Sequence, residues 1–197
     1  SAAFLAICFL HVRDSHFSTP DVPATCYFLA SCALALRYTQ TNNARDIYLG
    51  SVFLGLAAST KYNLGLFAIT ILLAGLHNSA PMRQTIRRLF IAIGSMATAF
   101  IVASPFIILD FTTFWRDINA LRNMVAQGGI TDLGRGWLYY PWFTLPHSLG
   151  WPLFVVGLAG TLRWMLRLRL TEIALLVGLI GYYAIAGSGK AVYFRYT

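Results

Sequence analysis

The densest set of residues able to do chemistry is His11-Val12-Arg13-Asp14-Ser15-His16-Phe17-Ser18-Thr19-Pro20-Asp21. Two imidazoles, two carboxylates and a guanidinium in one short polar stretch can hold a divalent metal, bind a phosphate or move a proton. A structural role competes on even terms. Arg13 can pair with Asp14, and Asp21 can be the acid that a helix N-terminus favours. No metal-ligand spacing matches, so the residues alone leave both roles open. The second candidate is Lys61, one of two lysines, in the interruption Thr60-Lys61-Tyr62-Asn63 between two apolar runs. An ammonium there can neutralise a lipid phosphate, with Tyr62 and Asn63 adding hydrogen bonds, or it can snorkel at a helix end. The third is Lys190 with Arg195 and Tyr196. Gly187-Ser188-Gly189-Lys190 is not a phosphate loop, because Ala191 follows the lysine and the first glycine of that motif is missing.

The elements that must position these groups are apolar. Hydrophobic residues make up 57% of the 197-residue chain, charged residues 11%, and mean hydropathy is +0.63. A soluble domain carries about 25% charged residues, and this chain could not cover a water-facing surface. A bilayer lifts that demand. The composition therefore predicts an all-α integral membrane protein. Net charge is +8, but the arginines lie in short loops between apolar runs, which points to membrane orientation and not to nucleic acid. Cys8, Cys26 and Cys32 all sit inside apolar runs and read as small buried hydrophobes. The chain opens inside an apolar segment and closes at Phe194-Arg195-Tyr196-Thr197 without a polar tail, so a piece of a longer protein is expected.

Apolar runs of roughly 20 residues mark spans. The tail of one covers residues 2–10. Thr19-Pro20-Asp21 then reads as a helix start, with a hydroxyl cap, proline in the first turn and an acid at the positive end. That helix runs to about Tyr38. The stretch 47–76 is too long for one upright span; it is either one helix with a buried Lys61 or two helices joined by a turn there. Further spans fall at 90–109, 149–162 and 170–186, a polytopic bundle of about six to seven spans in a single domain. A hairpin at Lys61 puts loops 39–46, 77–89 and 163–169 on one face; with Arg37 and Glu172 at their margins, that face holds eight basic residues against Asp46 and Glu172, a net +6. Loops 11–21, 60–63, 110–148 and 187–197 then share the other face, with seven basic residues against five acids, a net +2. The single-helix alternative splits the arginine-rich loops between faces. The positive-inside rule favours the hairpin, with the arginine-rich face cytoplasmic.

Trp115, Trp137, Tyr139, Tyr140, Trp142 and Trp151 gather on the external side, as an interfacial belt would. Phe111, Phe114, Trp115, Ile118, Leu121 and Val125 recur at helical spacing, with Arg116, Asp117, Asn119 and Arg122 mostly on the other face. This predicts an amphipathic helix, lying on the membrane surface or packed on the bundle.

The pattern His11-x-Arg13-Asp14-Ser15-His16-Phe17 through Asp21 and Pro23 resembles the second external loop of the protein O-mannosyltransferase and aminoarabinose transferase superfamily. Gly55-Leu56-Ala57-Ala58-Ser59-Thr60-Lys61-Tyr62-Asn63, Ala103-Ser104-Pro105-Phe106 with Asp110 and Phe114, and Phe194-Arg195-Tyr196 are similar to later segments, in the family's order. The resemblance implies a GT-C fold with an extracytoplasmic active site, a polyprenyl-phosphate sugar donor and inverting transfer to a protein, lipid or glycan acceptor. It implies that the general base belongs to a first external loop ahead of this chain. Asp14 and His16 would form the second acidic motif, at a divalent metal or the donor phosphate. Arg13, Asp21, Lys61, Tyr62, Arg195 and Tyr196 would serve the carrier phosphate. A bacterial or archaeal plasma membrane is the expected setting, with membrane lipid as a partner and no nucleic acid. The rival readings are a transporter and a non-catalytic membrane subunit. A transporter gathers charges at the bilayer midplane in inverted repeats, whereas these charges gather on one side and no repeat is visible.

Overall fold

In a computed structural model, residues 15–16, 19–76, 80–127, 136–166 and 170–188 are described. Among them there is no strand; nearly all are helical. The chain divides into two compact units, one built on Pro20–Leu109 with Leu168–Tyr182, the other holding the rest.

The first unit begins with α1, Asp21–Thr41. Pro20 occupies the N-cap position, one residue later than the expected threonine cap, and Asp21 lies in the first turn. The helix outruns its expected end at Tyr38. It stops where Asn42 takes a left-handed backbone (φ 55°) and returns its N–H to the Tyr38 carbonyl at 2.7 Å, a conformation asparagine tolerates well. Asn43 at once caps α2, Ala44–Thr60, by accepting from the Arg45 N–H at 3.2 Å. The expected loop 39–46 is thus only two residues long.

Asp46 consequently belongs to the first turn of α2 and is buried, not looped out. Its carboxylate accepts from Thr41 Oγ1 at 3.1 Å and meets Arg37 Nε at 3.3 Å. Two helix ends share one acid there, which ties down the reversal between α1 and α2.

At Lys61 the helix breaks. Thr60 ends α2, Lys61 is extended (φ −141°, ψ 108°), and a tight 3-10 stretch, Tyr62–Phe67, leads into α3, Ala68–Leu76. The chain turns back on itself: Gly65 lies beside Ala58, and Gly75 lies against Ile47 near the start of α2. Of the two alternatives, one long helix is thereby excluded.

Next comes α4, Met82–Ala103. Arg83, Arg87 and Arg88 were expected in a loop; they ride instead on its first two turns. Ser104-Pro105 ends the helix short of the expected 109, as proline forbids the preceding residue to stay helical, and a short turn, α5, covers Phe106–Leu109. Arg88 Nη1 donates to Asn42 Oδ1 at 2.8 Å and to the Tyr38 hydroxyl at 3.4 Å, joining α4 to the α1–α2 corner.

Small residues let these helices approach closely, as packing inside a bilayer requires. Gly50 of α2 faces Ser31 and Leu34 of α1, and a methyl group at Gly55 would strike the Met96 carbonyl of α4. Ala35, Tyr38, Ile47, Leu54, Phe67, Ile71, Ala74 and Ala92 form the buried core. Among the described residues one helix, α4, is long and apolar enough to cross a membrane, and Tyr62–Leu76 and Trp151–Arg163 are shorter apolar stretches.

The second unit contains α6, Phe111–Gln127; three continuous short turns, Gly136–Tyr139, Tyr140–Thr144 and Leu145–Leu149; and α7, Trp151–Met165. The middle turn is a π-helix. Asp110 caps α6 by accepting from the Thr113 N–H at 3.2 Å. Rings step along the short turns from Tyr139 to Phe143, His147 and Trp151. The last helix, α8 at Leu170–Ser188, passes from one unit to the other. Its Tyr182 packs on Phe67 in the first unit, and its Tyr183 hydroxyl bonds the Trp137 carbonyl in the second.

Candidate functional site

Two helix ends build the site in the first unit. Asp21 sits at the start of α1, where unpaired N–H groups favour a negative charge, and Lys61 sits just past the end of α2, where unpaired carbonyls favour a positive one. α1 descends from Asp21 and α2 climbs back to Lys61, so residues forty apart in sequence meet side by side. The Lys61 ammonium is ion-paired to Asp21 Oδ1. Both side chains keep contact with solvent, at 25% and 32% exposure. The Lys61 backbone is held separately: its N–H donates to the Ala57 carbonyl at 2.8 Å.

The 3-10 stretch supplies the surroundings. Residues three apart share a face in such a helix, so Leu64 and Phe67 both turn to the core. Tyr62 is exposed and stands edge-on to Phe100 of α4, with ring centroids 6.3 Å apart. Asn63 donates to the Tyr182 hydroxyl at 3.1 Å, which fastens α8 to the turn.

Sequence reasoning expected Lys61 to face a phosphate and grouped Asp21 with Asp14 and His16. The structure brings Asp21 to Lys61. The ammonium therefore meets a carboxylate before any ligand arrives, and an approaching anion finds a cation already balanced by Asp21. An ammonium carries three donors, of which the bond to Asp21 Oδ1 uses one. Among the described site residues, His16 is exposed. Arg13, Asp14, Arg195 and Tyr196 lie outside the described residues, and so do His11, Asp132 and Lys190. No three His, Cys, Asp or Glu side chains gather into a metal-ligand set among the described residues.

Sequence reasoning missed the Asp21–Lys61 partnership and the Asn63–Tyr182 bond. The first could have been sought from charge alone, since a hairpin at Lys61 returns the chain to the level of the α1 start.

Residues 1–109, over half of the chain and all of the α1–α4 bundle, match the family model described as dolichyl-phosphate-mannose-protein mannosyltransferase. The chain belongs to that family. It is a mannosyltransferase-like membrane glycosyltransferase of the GT-C type, and the match takes in Asp14, His16, Asp21 and Lys61 together. No curated protein and no solved structure matches the chain.

Proposed function

We propose that this chain carries the carrier-phosphate side of an active site that moves a sugar from a polyprenyl-phosphate donor to an acceptor hydroxyl, with inversion, at the extracytoplasmic face. The observation behind this is the polarity of the α1–α4 bundle. Arg37, Arg45, Arg83, Arg87 and Arg88 gather at one end, while Asp21 and Lys61 meet at the other, about 25 Å away along α2. The positive-inside rule assigns the arginine end to the cytoplasm, which leaves Lys61 at the outer face. We count about six to seven spans, namely α1, α2, the limb 62–76, α4, α7 and α8, with residues 2–10 as the tail of another.

In the proposed step the acceptor oxygen attacks the anomeric carbon, the bond from that carbon to the phosphate oxygen breaks, and the phosphate departs with the electron pair. Attack opposite the leaving group inverts the anomeric centre. Lys61 stabilises the charge that grows on the departing phosphate, Asp21 holds the ammonium in place, and Tyr62 borders the entry. Arg13, Arg195 and Tyr196 are assigned to the same phosphate. The acceptor proton goes to a carboxylate base, which family resemblance puts in a loop ahead of these residues. Asp14 and His16 are two donors, enough to anchor a divalent ion while leaving positions open for phosphate oxygens.

The test is transfer from a radiolabelled polyprenyl-phosphate sugar by the full-length protein, comparing wild type with Asp14→Asn and Lys61→Ala. Both variants should lose transfer while remaining folded; undiminished transfer by both ends the assignment. Single cysteines at positions 62 and 83, probed with an impermeant reagent, should label from opposite sides of the membrane. Labelling from one side removes the topology.

A further inference from the structure

The amphipathic helix α6 carries an apolar stripe in which Phe111, Trp115 and Leu121 stay exposed while Phe114 and Ile118 are half-buried. Phe111, Trp115 and Leu121 are 59%, 56% and 46% exposed. Phe111 stacks on Trp115 with ring centroids 6.2 Å apart and lies equally close to Phe114, so the three rings form a continuous surface. On the opposite side Arg116 and Asp117 pair at 3.4 Å in full solvent, and their charges cancel.

Arg122 departs from this division. At 3.6 residues per turn it falls four residues after Ile118, seven after Trp115 and eleven after Phe111, which sets it in the apolar stripe. A helix covered by a dry protein groove has no use for an exposed guanidinium in that stripe. A bilayer surface does, because a long basic side chain can bury its stem among apolar neighbours and raise its head to the phosphate layer. Chain length gives the helix a membrane to meet. Seven residues, 104–110, join the end of α4 to Phe111, and they reach at most about 25 Å when fully extended. The start of α6 is therefore tethered to the end of α4, the one helix among the described residues that is long and apolar enough to cross.

We propose that α6 lies in the headgroup layer of an anionic bilayer, with Phe111, Phe114, Trp115 and Ile118 toward the acyl chains and Arg122 held by the net negative charge of anionic headgroups. The apolar stripe supplies depth, and Arg122 supplies the preference for anionic lipid.

The experiment uses the full-length protein in nanodiscs, with native cysteines replaced and an environment-sensitive fluorophore at single positions 114, 118, 119, 121 or 123. Nanodiscs of phosphatidylcholine alone are compared with phosphatidylcholine mixed with phosphatidylglycerol. Lipid-borne nitroxide should quench positions 114, 118 and 121, and aqueous iodide should quench 119 and 123. Arg122→Gln should lower the docked-to-undocked ratio about fivefold in the anionic discs and leave it unchanged in the neutral ones, while Arg122→Lys retains docking. If positions 114 and 118 are shielded from both quenchers, a protein surface covers the stripe and the proposal falls. If iodide reaches them as freely as 119, the helix stands in water and the proposal also falls. Equal loss in both kinds of disc would sink the assigned role of Arg122.

Discussion

The two ends of the α1–α4 bundle each join a carboxylate to a cation, and they do so in different ways. At the arginine end Asp46 is buried, is nine residues from its partner Arg37, and also takes a hydrogen bond from Thr41. Every element of that contact lies on one corner of the chain, and the acid doubles as a helix-start residue. At the opposite end Asp21 and Lys61 are forty residues apart, part-exposed, and stand on separate helices. The first arrangement fixes a reversal. The second leaves the carboxylate as well as the cation within reach of anything dissolved in the membrane surface. Arg37 is itself 64% exposed, so the contrast lies in the acid: a buried carboxylate suits architecture, and a part-exposed one suits exchange with a ligand.

The largest effect should separate the ends by activity. Lys61→Ala should reduce sugar transfer by about a hundredfold, the usual result of removing one preorganised group that stabilises developing charge. Its unfolding midpoint in detergent should scarcely move. If transfer instead falls only in step with the folded fraction, Lys61 is architectural and the contrast collapses. Between the ends, Gly55→Ala forces a methyl group onto the Met96 backbone and should destabilise the bundle by about 1–3 kcal/mol, read from thermal unfolding. Asp46→Ala strips a buried acceptor from Thr41 and Arg37 and should destabilise by about 1–3 kcal/mol, while the transfer rate per folded molecule stays near wild type. A rate loss out of proportion to folding would mean that the arginine end takes part in the chemistry. The smallest effect concerns Asp21 with Lys61. A double-mutant cycle on stability should return a coupling of about 0.2–1 kcal/mol, as for other solvent-touched pairs; a much larger value would make the Asp21 end as structural as the Asp46 end.

Much of the helical bundle was legible beforehand because long apolar runs announce helices by composition and because the arginines gather at one end. The break at Lys61 followed from counting charges on each side of two alternatives. Helix ends were less legible. Asn42 and Asn43 both read as loop residues, yet one closes α1 and the other opens α2, so a polar stretch of eight residues shrinks to a two-residue corner. Likewise Arg83, Arg87 and Arg88 are polar enough to suggest a loop, but arginine is a good helix former, and the helix simply begins earlier than its apolar stretch. The site was half legible. Residue type singled out Asp21 and Lys61 separately, while their meeting depends on the direction of two helices. Asn63 was expected to assist a phosphate, and its bond to Tyr182 depends on a helix more than a hundred residues away.

The 3-10 stretch after Lys61 has a consequence for reach. Seventeen residues of α2 rise about 25 Å. The limb that descends beside it has two residues fewer, six in the tighter coil and nine in α3. Because each residue of the tighter coil advances about 2.0 Å instead of 1.5 Å, the shorter limb covers the same height. Tyr62–Phe67 thus works as a spacer that equalises unequal strings of residues, and rewinding it into an ordinary α-helix would leave the return path about 3 Å short of the level where α2 began.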